Sequence, residues 1–166
     1  MSLVPLQQLS DESRVWCFGA SRAPGGPETA HLLDSMQAFV EEWTAHSRDL
    51  RAGMAWRDQR FLIIAVDESH ASASGCSIDA LSRQLRELES RLNVRLLDSA
   101  SVWYRDATGR IRSCSRDDFG TMAKHGDVDA NTSVFDLTIT RLGDYRGGTF
   151  ERPASESWHR ALLGGD

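Results

Sequence analysis

Apolar positions along this chain change period several times, and each change marks an element. Arg14-Val15-Trp16-Cys17-Phe18 is a short β-branched and aromatic run closed by Gly19, which predicts a first strand. The loop Ala23-Pro24-Gly25-Gly26-Pro27 has the strongest breaker content in the chain. From Glu28 to His46, the residues Leu32, Leu33, Met36, Phe39, Val40 and Trp43 recur at helical spacing, predicting a helix with one buried face. Leu50, Ala52, Met54 and Trp56 then alternate with Arg51, Gly53, Ala55 and Arg57, the period of a half-covered strand. After a tight turn at Asp58-Gln59, the nearly continuous apolar run from Arg60 to Val66 predicts a central strand antiparallel to its predecessor. It stops at Asp67-Glu68.

A small-residue loop, Ser69 to Gly75, leads into a second helix carried by Ile78, Leu81, Leu85, Leu88 and Leu92. Residues 101–105 and 110–114 flank Asp106-Ala107-Thr108-Gly109 and predict a hairpin. Ser115 with Asp118 resembles a capping box for a short third helix reaching Lys124. Ser133 to Thr140 alternates and predicts one more strand, placed at an edge because one face is polar. Beyond Pro153, only Trp158, Leu162 and Leu163 offer the closing segment something to bury.

This order predicts a single α+β domain over residues 1–166. The expected fold is ferredoxin-like, a β-α-β-β-α-β antiparallel sheet with an added hairpin strand. Its core should span residues 13–114, with a C-terminal extension over 115–166. Both helices should cover one sheet face. The other face carries aromatics such as Trp103 and should be closed by the C-terminal segment or by a partner subunit, so a homodimer is expected.

Several segments jointly resemble a family of small uncharacterised bacterial proteins, known chiefly from the Bacteroidota, whose members sometimes carry the label ABC transporter ATPase. The residues that carry the resemblance are Trp43-x-x-His46, the Arg60-Phe61 strand ending in Asp67-Glu68-Ser69, and Ser74-Gly75-Cys76-Ser77-Ile78-Asp79. Asn131-Thr132-x-Val134-Phe135 and Ser157-Trp158 extend it over nearly the whole chain. The chain departs from the family in the loop Ala23 to Pro27 and around Leu137, where relatives are more polar. The resemblance supports the fold and implies no reaction. The ATPase label fails on chemistry, because a phosphate-binding loop needs a glycine-rich turn followed by Lys and then Ser or Thr. Lys124 is the only lysine, and it precedes His125 and Gly126.

A net charge of -5 and a pI near 5.5 give no overall attraction to phosphate backbones or anionic lipid. Nucleic acid is therefore a disfavoured partner, although a local basic face stays open. Met1 to Ser10 lacks a basic start followed by an apolar stretch, and no apolar run approaches the roughly 20 residues that span a bilayer. The expectation is a cytoplasmic protein without membrane partners. Cys17, Cys76 and Cys114 lie too far apart for a Cys-x-x-Cys redox or zinc motif, so neither cofactor nor metal is implied.

Candidate chemistry centres on the start of the second helix. Unpaired amides and the helix dipole there would favour a thiolate at Cys76, with Ser77 and Asp79 beside it. The structural alternative makes Ser74 or Ser77 a cap, Asp79 a dipole partner and Cys76 a small buried residue. Asp67 and Glu68 could fold back toward Cys76, yet adjacent carboxylates at a strand end point to opposite sides. His70 joins no defensible metal spacing. Ser74, Gly75, Trp43 and His46 are the candidate ligand contacts, His46 reading otherwise as a C-terminal helix cap and Trp43 as core. The favoured function is a non-catalytic binding or protein-interaction module whose small ligand or protein partner the sequence does not specify. The alternative is a small thiol-dependent enzyme or redox-responsive protein using Cys76.

Overall fold

In the computed structural model, which describes residues 3–164, the chain up to Leu92 builds a helix-backed sheet. Its elements are β1 (Arg14–Gly19), α1 (Gly26–Glu42), β2 (Thr44–Ala45), β3 (Arg48–Asp49), β4 (Arg51–Arg57), β5 (Phe61–Asp67) and α2 (Gly75–Leu92). β5 lies between β1 and β4 and is antiparallel to both, with Cys17 and Ala55 on either side of Ile63. Every residue of β5 is buried because both of its faces are covered. Leu62, Ile64 and Val66 share a core with Met36 of α1 and with Leu81 and Leu85 of α2. Phe61, Ile63 and Ala65 look the other way.

The second half supplies what they look at. β6 (Val102–Arg105), β7 (Ile111–Cys114), β8 (Ser133–Phe135) and β9 (Glu151–Pro153) form a second antiparallel sheet in the order β7-β6-β8-β9. α3 (Arg116–His125) and the short α4 (Leu142–Arg146) lie between its strands in sequence. Trp103, Phe135 and Phe150 meet Phe61 at ring-centroid distances of 5.5, 4.6 and 5.3 Å, so the two sheets are stacked through an aromatic core. Val102, Tyr104 and Val134 point outward instead and pack on Phe119 of α3 and on Trp158 and Leu162 of the closing 3-10 turns. Each sheet thus has the other sheet on one side and helical segments on its second side.

The stacking is tight at one point that requires a glycine. A Cβ on Gly19 would lie 2.5 Å from the Trp103 ring. Only a residue without one lets the indole lie against the strand.

Several expectations are corrected here. Instead of joining β1 as the fourth strand of a single sheet, β6 pairs with β7 and β8. Val102, Trp103 and Tyr104 are all buried, and so two-sided a strand needs cover on both faces. Residues 140–141 meet the outer edge of β1, where Val15 donates its N–H to the Thr140 carbonyl. The strand expected over 133–140 ends at Phe135, because the Asp136 carboxylate takes the N–H and hydroxyl of Thr138 and turns the chain. That strand is also internal, between β6 and β9, and its polar Ser133 donates to Glu151 rather than facing solvent. α1 stops at Glu42: Trp43 is buried but extended, and His46 and Ser47, at φ of 50° and 62°, form the turn of the β2-β3 hairpin. His46 is therefore a turn residue and not a helix cap.

The face for which a partner subunit was one expected cover is closed within the chain, with Trp103 only 2% exposed. The sheet that closes it includes β6 and β7, so the expected boundary near 114 divides a single sheet. Met1, Ser2, Gly165 and Asp166, the ends of the expected unit, lie outside the described residues. Among the described residues, no helix is long and apolar enough to cross a membrane.

Candidate functional site

The start of α2 is a structural joint. Ser74 is its N-cap: its Oγ accepts the Ser77 N–H at 3.2 Å, and its own N–H donates to Ser77 Oγ at 2.7 Å. The Ser77 carbonyl accepts the Trp43 indole N–H at 2.9 Å, tying the end of α1 to the start of α2. Gly75, Cys76 and Asp79 are exposed. The carboxylates of Asp67 and Glu68 are engaged elsewhere. Asp67 accepts the Ser69 N–H and the Arg51 guanidinium, each at 3.0 Å, and the Ser69 side chain and backbone hold its pKa below the ordinary carboxylate value. Glu68 accepts the Ala73 N–H and faces Arg14 at 3.8 Å. His46, His70, Arg48 and Ser74 border a shallow hollow of about 550 Å³ whose lining includes neither Cys76 nor these carboxylates. Among the described residues, no group of three or more His, Cys, Asp or Glu is placed to hold a metal ion.

The other two thiols are poorly ionised. Burial, with Asp136 adding to it, pushes Cys17 up to about 12. Burial and then Asp118 push Cys114 to about 11. Under the second sheet, His159 is fully buried, its Nδ1 2.8 Å from Ser157 Oγ and its ring stacked on Trp158 at 3.8 Å. Sealed from solvent, this pair offers no access to a substrate.

A different constellation forms where the two sheets end together. The β4-β5 turn and the β6-β7 hairpin border a shallow, open cleft of about 510 Å³, with Ala23 of the breaker-rich loop at its margin. Its polar lining is Asp58, Gln59, Arg60, Arg105, Arg110 and Arg112. Asp58 and Gln59 hold positive φ of 54° and 52°, the backbone of a tight hairpin turn. In the facing loop, Asp106 Oδ1 accepts the N–H groups of Thr108 and Arg110, and Gly109 supplies a φ of 81°. The Thr108 hydroxyl and then Arg112 hold the Asp106 carboxyl well below its ordinary value.

Arg105 and Asp58 of the lining are fixed by a charge network that extends behind them. Arg105 grips Glu151 with Nε at 2.6 Å and Nη2 at 3.2 Å, and Arg57 reaches the same carboxylate at 2.8 Å. Both also contact Asp58 Oδ2, at 3.4 and 3.1 Å, so β4, β6 and β9 are joined by one charge network. Arg60 donates instead to three backbone carbonyls, of Ala20 at 2.8 Å, Ile111 at 2.8 Å and Ser21 at 3.2 Å, with its guanidinium over the Trp103 ring. Burial and the nearby charge of Arg112 lower its pKa, as expected of a cation short of compensating charge.

Charge accounting gives this cleft its character. Arg57, Arg105 and Arg112 are matched by Asp58, Glu151 and Asp106. Arg60 and Arg110 have no carboxylate partner among the described residues, which leaves two positive charges beside one opening in a chain of net charge -5. The lining contains no histidine, cysteine, lysine or hydroxyl side chain, and its carboxylate is that of Asp58.

Sequence reading missed these arginines. Each stands at the end of a hairpin strand, where a solvated charge is ordinary, and the only signal was the clustering of Arg57 with Arg60 and of Arg105 with Arg110 and Arg112 around two turns. No protein-family model, curated protein or solved structure matches the chain.

Proposed function

We propose that this chain is a non-catalytic binding protein that captures an anionic ligand in the arginine cleft. The observation that carries the reading is the pair of uncompensated guanidinium groups, Arg60 and Arg110, in a lining they share with Arg105, which Glu151 fixes. Arg60, held by three backbone carbonyls, loses little freedom when an anion arrives, Arg110 adds a second charge from the exposed hairpin, and the remaining N–H groups of the guanidinium forks suit oxyanions. The lining is dominated by guanidinium groups, which hold and orient oxyanions and do not give up protons, and this favours binding over catalysis. On this reading the helix-backed sheet, a ferredoxin-like unit whose fourth strand has been redeployed, serves as scaffold.

Inorganic phosphate titrated into the full chain and followed by amide NMR tests it. At low salt, phosphate should shift resonances of residues 58–60 and 109–112, and raised ionic strength should weaken the effect. Arg110→Glu, on an exposed side chain with no partner to lose, should weaken binding about tenfold or more. Shifts confined to other surfaces, or equal affinity in the variant, would refute the proposal.

A further inference from the structure

We infer that the ligand of this cleft is a phosphate monoester carrying hydroxyl groups and no aromatic ring, of the sugar-phosphate class; the inference rests on the anion-binding reading above. Two uncompensated guanidinium groups match a phosphate monoester, which bears a charge of about -1.5 to -2 at neutral pH, better than a singly charged carboxylate.

The remaining groups of the lining are the wrong kind for phosphate and the right kind for hydroxyls. Asp58 commits Oδ2 to Arg57 and Arg105 but leaves Oδ1 without a partner among the described residues. Gln59 projects an uncommitted amide from the turn, and the carbonyls of Gly109 and Ile111 each accept one arginine N–H and keep a second lone pair. A carboxylate oxygen at the edge of a cationic cleft repels a bare phosphate, yet it accepts from a sugar hydroxyl held beside one. No aromatic side chain lines the cleft, since Trp103 lies beneath Arg60 and Phe135 beneath Arg105, so a nucleobase finds no stacking platform. The volume, about 510 Å³, falls in the range of small-molecule sites.

Calorimetric titration of the full chain with inorganic phosphate, glucose 6-phosphate and adenosine 5′-monophosphate tests this. Glucose 6-phosphate should bind about tenfold tighter than phosphate, the gain two modest net hydrogen bonds give, and tighter than the nucleotide. Gln59→Ala and, separately, Asp58→Asn should reduce that preference to about threefold or less while phosphate affinity is kept or, for Asp58→Asn, increased. Circular dichroism and thermal melting establish that each variant is folded. If phosphate binds and glucose 6-phosphate binds no tighter, or the nucleotide binds tightest, the sugar-phosphate inference falls and anion binding stands. If no probe binds, or Arg110→Glu leaves all affinities unchanged, both fall.

Discussion

Lowering the pH from about 7.5 to about 4.5 should destabilise this protein through a single buried imidazole. His159 has no exposed surface, its Nδ1 lies 2.8 Å from Ser157 Oγ, and its Nε2 has no hydrogen-bond partner among the described residues. Burial is the chief cause that pushes its pKa from 6.5 down to about 4; Asp136 opposes the shift, and Arg116 and Arg152 add to it. The folded chain thus keeps the ring neutral until the pH nears 4, whereas the unfolded chain protonates it near 6.5. Between those values the unfolded state binds more protons, so the stabilisation is complete above 6.5 and is lost as pH falls through the window. The gap saturates at about 3 kcal/mol, of which about 2.5 kcal/mol is gone at pH 4.5.

Urea unfolding of the wild type and of His159→Gln at both pH values isolates the effect, because carboxylates titrate alike in the two proteins. The wild type should lose about 2.5 kcal/mol more than the variant on acidification. Equal losses, or a ring that titrates above about pH 6 by NMR in the folded state, would refute the reasoning.

Gly19→Ala should lower stability by about 1–3 kcal/mol, since the new methyl must displace a Trp103 ring that would lie 2.5 Å away; Gly26→Ala, with nothing within 4 Å, is the control in the same urea titration. An unchanged midpoint for Gly19→Ala would mean that the sheets do not approach so closely. Brief alkylation of the native protein near neutral pH should mark exposed Cys76 first and spare Cys17 and Cys114, whose thiols burial pushes to about 12 and about 11. Peptide mass spectrometry reads the order, and early labelling of Cys17 would contradict it.

The parts of the fold legible in the sequence are those fixed by local period and turn chemistry. The apolar run ending at Val66 has the length and β-branched content of a central strand, and the leucines of α2 recur as one helical seam. A serine cap at Ser74 or Ser77 was legible for the same reason, since capping depends on residues three apart, and the structure places it at Ser74. Pairing across the two hairpins, β4 with β5 and β6 with β7, was legible too, but long-range pairing was not. Val102-Trp103-Tyr104 fits beside β1 or in a second sheet equally well, and long-range packing of Trp103 against Gly19 and Phe61 decides it. Trp43 misled because its spacing continues that of α1, although its burial comes from an extended segment anchored to Ser77. The arginine cleft was invisible for a related reason. Its two halves, around Gln59 and Gly109, each read as an ordinary solvated turn, and only sheet stacking makes them one surface.

The aromatic seam between the sheets also imposes an order on synthesis. When the first part of the chain has left the ribosome, α1 and α2 can already cover one face of β1, β4 and β5, but Phe61, Ile63 and Val15 wait for Trp103, Phe135 and Phe150. At about 5–20 residues per second, the stretch from Trp103 to Phe150 takes roughly 2–10 s to appear. For those seconds the nascent chain carries a bare apolar sheet, a template for association with its neighbours. Phe150 is thus a late seal, and a chain interrupted before it would be an aggregation hazard rather than a smaller working protein.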